Sequence, residues 1–189
     1  MTDAAFEAEA LVKLEPKIRC VAMVGYFLQF WSVLESTVNR ALEYALDLTS
    51  LQGTIVAKNI MMRDKIHILK TLVDLRGVDV ERFKAVLEEI STLSGDRNMM
   101  AHDMFFPDDE GDGVQFLVVK AKGKLAFPKT HWSAAAFLKK YVRLSKLAKD
   151  AEDLATSLST ISLAKLLREA KDASGAPRGQ RRSPAETIP

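Results

Sequence analysis

Between residues 94 and 106 the chain reads "SGDRNMMAHDMFF", and an Arg, an Asn and a His fall within six positions of one another. Arg97 carries a permanent charge on a planar fork that can grip two oxygens of one phosphate. Asn98 brings an amide that both donates and accepts. His102 is the type of side chain that titrates near neutral pH, so it suits proton transfer to or from a hydroxyl. Together these three suit phosphodiester cleavage that needs no metal ion. In RNA the neighbouring 2′-hydroxyl is a built-in nucleophile. The protein then has only to move protons and absorb charge that grows in the transition state.

In-line attack at phosphorus wants a base on one side and an acid on the other. One His102 cannot easily stand in both places in a single step. A two-fold dimer would bring a second His102 and a second Arg97 to the same cleft, so the chemistry favours a composite site in a homodimer. Helical geometry raises the same point. Arg97 lies seven residues after Ile90, and an unbroken helix aims it along the apolar face, where a guanidinium needs an acceptor. His102 comes five residues later, about 140° around a straight helix. Gly95 offers a place to bend. Each residue also has a structural role open to it: an ion pair with Glu35 or Asp96 for Arg97, helix termination for Asn98, and a helix-end imidazole favoured by the dipole for His102.

These residues need helices to position them, and the apolar rhythm supplies four main ones. From Lys17 to about Thr49, Phe27, Phe30 or Trp31, Leu34, Val38, Leu42 and Ala45 recur at three and four. A second helix runs from about Ile55 to Arg76, with Met62, Ile66, Leu69 and Val73 as its stripe and Gly77 at its end. The third starts near Asp79, turns Phe83, Val86 or Leu87, Ile90 and Leu93 or Ser94 inward, and carries the opening stretch at its C-terminal end. After the polar loop "PDDEGDG", the segment "VQFLVVKAKGKLAFP" reads as a β-hairpin with Lys120 and Lys122 on one face. The last helix starts near Trp132 and keeps its rhythm through the Ser/Thr-rich stretch 156–162, which predicts one long helix, with Ser159 as a point of bending. The expected organisation is an N-terminal arm or short helix over 1–16, an all-α domain over 17–173 with a small hairpin inserted between its third and fourth helices, and a disordered Pro/Gly/Arg/Ser-rich tail over 174–189.

Composition sets the outer limits. The chain has 189 residues, 48% of them hydrophobic, enough for a core of one domain, and a formal charge of only +2. So small an excess excludes a bulk nucleic-acid coater, and any basic surface must be local. Such local sets are Lys139, Arg143 and Lys146 on one helical face, Lys120 and Lys122, and Arg178, Arg181 and Arg182 in the tail, each read first as solvated surface. A lone cysteine, Cys20, indicates neither a disulfide framework nor a zinc cluster, and reads as a small core residue in a reducing, cytoplasmic setting. No bound metal and no cofactor are expected. The acidic loop only imitates a calcium site, because its twelfth position would be Val119 where a bidentate Glu is needed. His67 reads as a boundary or solvated residue and His131 as a capping or packing one. The run 20–35 is broken by Gln29 and is shorter than the roughly 20 residues a membrane span needs, so it reads as a buried helix and no membrane role is expected.

The combination "RNMMAH" at the end of the third helix resembles the HEPN superfamily, whose signature is an Arg, commonly followed by Asn, with a His after four to six intervening residues. The upstream "FLQFWSVLESTVNRALEYAL", with Glu35 in its middle, looks like that family's first long helix, and the resemblance covers about 18–170. It implies an all-α bundle, a homodimer, and metal-independent ribonuclease activity in toxins or antiviral defence, with an antitoxin protein as a candidate partner. Arg97 and His102 would be the catalytic pair, Asn98 would orient the phosphate or the Arg, and Glu35 would be a polar partner of Arg97. Members that a partner enzyme modifies carry a Tyr two residues after the His; Met104 stands there in this chain. Other members are binding or sensing modules for RNA or nucleotides, or structural dimer adaptors.

Overall fold

The computed structural model describes residues 10–11, 13–108, 111–122, 124–126 and 129–173. The tail 174–189, with Arg178, Arg181 and Arg182, and the first nine residues of the arm lie outside the described residues. The fold is mostly helical with a small antiparallel sheet. Helix α1 (Pro16–Ala45) opens where Glu15 accepts hydrogen bonds from the N–H groups of Lys17 and Ile18 at 3.1 and 3.2 Å. Pro16 fills the first position, where its missing N–H costs nothing. The residues picked out by the three-four rhythm, from Phe27 to Ala45, form its buried face. Its other face stays open, with Ile18, Val21 and Val33 exposed, so the expectation of a buried helix holds on one side only. By length and composition α1 could cross a membrane: an 18-residue window has a mean hydropathy of 1.2, and 39% of that window is buried within the fold.

The expected second helix is two helices, α2 (Ser50–Asn59) and α3 (Met62–Arg76). Thr49 and Gln52 close a reciprocal capping box that starts α2 several residues before the apolar stripe begins. The side chain of Asn59 donates to the Ile55 carbonyl at 2.7 Å, and Ile60 is extended, which separates the two. Helix α3 ends at Gly77, whose φ of 63° is the left-handed conformation glycine adopts at least cost. Helix α4 (Val80–His102) then runs without interruption through Gly95, Arg97 and Asn98. Asn98 therefore does not end the helix, and Gly95 makes no break in it. His102 is the last helical residue, followed by the cap residue Asp103, whose N–H donates to Met99 O at 2.9 Å.

Strands β1 (Met104–Pro107), β2 (Val114–Leu117) and β5 (Lys129–Trp132) form an antiparallel sheet in the order β1-β2-β5, and β3 (Lys120–Lys122) pairs with β4 (Lys124–Ala126) as a separate ribbon. The single expected hairpin is thus a ribbon set on a sheet, and β1 enters that sheet directly after the motif. Phe105 faces Phe116 across β1 and β2, and Val114 faces Trp132 across β2 and β5. Trp132 packs on Phe116 and Phe27, with ring centroids 5.5 and 6.1 Å apart, and so fixes the sheet to α1.

Helix α5 (Ala134–Ser159) lies along α1, with Phe137, Leu144, Leu147, Leu154 and Leu158 in the core. The predicted continuation past Ser159 does not occur: the chain breaks at 160–162 and restarts as α6 (Leu163–Ala173). Ser159 and Thr160 turn their hydroxyls onto the carbonyls of Thr156 and Ser157, and Asp47 accepts from the Ala164 N–H at 3.0 Å to begin the new helix. Arg76 holds the break in place. Its fully buried guanidinium donates to the carbonyls of Tyr44, Ala45, Leu158 and Ile161 and to Asp47, gathering the C-terminal ends of α1 and α5 on one cation. Burial also pushes the Cys20 thiol up, which agrees with its reading as a core residue.

Candidate functional site

Arg97 and Asn98 sit in the last two turns of α4. Asn98 Oδ1 accepts from the Arg97 guanidinium at 3.1 Å, which leaves the Asn98 amide N–H groups free to face another acceptor. Neither carboxylate that the sequence offers Arg97 is bonded to it. Glu35 of α1 accepts instead from Lys65 of α3, Nζ to Oε1 3.2 Å, with the Lys65 side chain 2% exposed. Asp96 accepts from Lys140 of α5 at 2.6 Å, and that ammonium also lies 4.4 Å from the centre of the Trp132 ring. The expected ion pair of Arg97 with Glu35 or Asp96 is therefore replaced by two lysine pairs.

Arg97 differs in this from five other cations of the fold. Buried and half-buried Lys65, Lys70, Arg76, Lys84 and Lys140 each have a carboxylate within salt-bridge distance. Arg97 is half-buried, and among the described residues it has none. A cation that has given up part of its water without gaining an anion is poised to accept one.

It lines an open recess of about 410 Å³ between three helices. Glu35 and Trp31 come from α1, Met61 and Arg63 from the start of α3, and Arg97 and Asn98 from α4. A second, more open recess of about 440 Å³ shares Asn98 and is formed with Met99, His102, Asp103, Val118 and Thr130. His102 is exposed there. Glu35, Arg97 and Asn98 are thus brought to one recess and His102 to its neighbour, with Asn98 common to both. This is what an uninterrupted helix requires, since five residues turn about 140° and climb about 7.5 Å.

Two residues are not apparent from the motif: Arg63, which lines the first recess, and Lys65, which holds Glu35 there. Lys65 occupies a position in the apolar rhythm of α3, with Ile66, Leu69, Leu72 and Val73, and a lysine there needs a buried acid. The remaining singled-out residues are structural or solvated. His67 is exposed, and His131 Nε2 lies 2.8 Å from Asp108 Oδ2, joining the end of β1 to β5. Asp112 accepts from the Ala134 N–H at the start of α5, so the acidic loop works as a fastener. Arg143 pairs with Glu89, while Lys139 and Lys146 are exposed. Among the described residues no group of three or more His, Cys, Asp or Glu side chains is placed to hold a metal ion. The chain matches no family model, no curated protein and no solved structure in the comparisons made with each.

Proposed function

We propose that this protein is a metal-independent endoribonuclease built on a bundle of four main helices, in which Arg97 and Asn98 hold the phosphate and His102 moves the proton. One observation carries the reading: Arg97 is a half-buried guanidinium that no carboxylate neutralises among the described residues, facing an open recess beside Asn98. A phosphodiester supplies the missing negative charge and two oxygens for the fork.

Because Arg97 and His102 of one chain face neighbouring recesses, the complete site is drawn from two copies around a two-fold axis. In that site the 2′-hydroxyl loses its proton to one His102 and its oxygen bonds to phosphorus. The bond from phosphorus to the 5′-oxygen breaks, and the leaving oxygen takes a proton from the second His102 in its imidazolium form. Arg97 absorbs the charge on the phosphoryl oxygens. The products are a 2′,3′-cyclic phosphate and a 5′-hydroxyl. Incubating the purified chain with labelled RNA in excess chelator tests this. Cleavage should give those two ends and should fall at least about 100-fold in His102→Ala and in Arg97→Ala. Undiminished cleavage in both variants sinks the proposal.

The split between the two recesses favours a second reading, a non-catalytic module that binds an RNA or nucleotide phosphate. It predicts binding that depends on Arg97 with no cut product at any time.

A further inference from the structure

The first recess has more than a phosphate site. Its volume of about 410 Å³ falls within the range of small-ligand pockets. Its cationic lining residues are Arg97 and Arg63, and Arg63, 75% exposed, pairs with Asp64 at 3.4 Å. Its apolar lining includes Met61, 71% exposed, and the buried Trp31. A methionine thioether makes favourable contacts with an aromatic ring, often at the ring edge. Glu35 lines the same recess. Its Oε1 accepts from Lys65, and Oε2 has no partner among the described residues. The buried Lys65 fixes the carboxylate in place, while a 34% exposed side chain leaves it reachable from the recess.

An ionised carboxylate only accepts hydrogen bonds, and it can accept two in parallel. Guanine presents two adjacent donors, N1–H and the 2-amino group, on its Watson–Crick edge. Adenine and cytosine set an acceptor beside their amino group, and uracil flanks its single N–H with two carbonyl oxygens, which a carboxylate repels. We infer that the recess between α1, α3 and α4 holds one guanine nucleotide, its phosphate on Arg97 and Arg63 and its base read by Glu35. This rests on the reading of Arg97 as a phosphate contact, and it adds a base preference to it.

Calorimetric titration of the full chain with the 5′-monophosphates of guanosine, inosine and uridine tests the assignment without any substitution. Inosine lacks only the 2-amino donor. Guanosine monophosphate should bind about tenfold more tightly than either of the others, the discrimination expected of one paired contact to a base edge. Glu35→Gln, checked for folding by its thermal melt, should bring the three affinities together. Arg63→Ala should weaken all three by a similar factor. Equal affinity for guanosine and inosine monophosphates overturns the guanine assignment. Binding of a guanine-free oligoribonucleotide separates the two levels. If it depends on Arg97 while guanosine is not preferred, only the base reading fails; if Arg97→Ala leaves it unchanged, the phosphate site itself is wrong.

Discussion

The Lys65 ammonium lies 3.2 Å from the Glu35 carboxylate, in a pair that is almost closed to solvent on the lysine side. This pair is what leaves Arg97 available. A lysine in the apolar stripe of α3 takes the one acid of α1 that borders the recess, and the Arg97 guanidinium that lines the same recess has no carboxylate partner among the described residues.

Breaking the pair one residue at a time should show its weight. Glu35→Ala strands an ammonium in the core and should cost about 2–3 kcal/mol, less than a fully buried pair because part of the carboxylate is wet. The double variant Lys65→Met with Glu35→Met removes both charges and should recover most of that loss. Chemical denaturation of the wild type, the single and the double variant measures both values. A double variant as unstable as Glu35→Ala would contradict the assignment.

Arg76 should be the least replaceable cation in the chain. It is fully buried and bonded to four carbonyls and to Asp47. Arg76→Met leaves several buried acceptors unpaired and should cost at least about 3 kcal/mol. Arg76→Lys should restore little, because a single ammonium cannot reach donors' worth of geometry spread over the ends of α1 and α5. Midpoints of urea unfolding for both variants check this.

Acid should loosen α6 before the rest of the fold. The Ala164 N–H, then the Ser162 hydroxyl and Arg76, hold the Asp47 carboxyl below its ordinary value of 3.8 against the opposing effect of burial. A depressed folded value means that the contribution to stability is complete above the unfolded value. It is lost as pH falls through the lower, folded one. Amide exchange over 163–169 should therefore accelerate as pH drops below about 4, after correction for intrinsic rates, and Asp47→Asn should remove that dependence. Exchange equally protected at pH 3 and pH 6 would refute it.

How far the sequence carried is visible at particular residues. The buried face of α1, from Phe27 to Ala45, follows from spacing alone, because a strongly periodic helix has only one way to hide its apolar side. The breaks between α2 and α3 and between α5 and α6 do not. Each is set by side chains bonding to backbone, such as Asn59 with Ile55 and Asp47 with Ala164, while the apolar rhythm continues across 156–162. In the site, the recess shared by Glu35, Arg97 and Asn98 follows from the motif's neighbours, but the partner of Glu35 was set by Lys65, thirty positions away in sequence. Lys65 and Arg76, polar exceptions in an apolar stripe, are the sequence feature that points to both buried networks, and the apolar rhythm alone passes over them.

Mixing wild type with His102→Ala tests the central claim, that one site draws a His102 from each protomer. The two are mixed in equal amounts under conditions that exchange subunits, and assayed for RNA cleavage in chelator. Half of the dimers are then mixed and hold a single His102, so the mixture should keep about a quarter of the activity of the same total amount of wild type. A mixture that keeps half of that activity, with exchange verified, contradicts the two-histidine site.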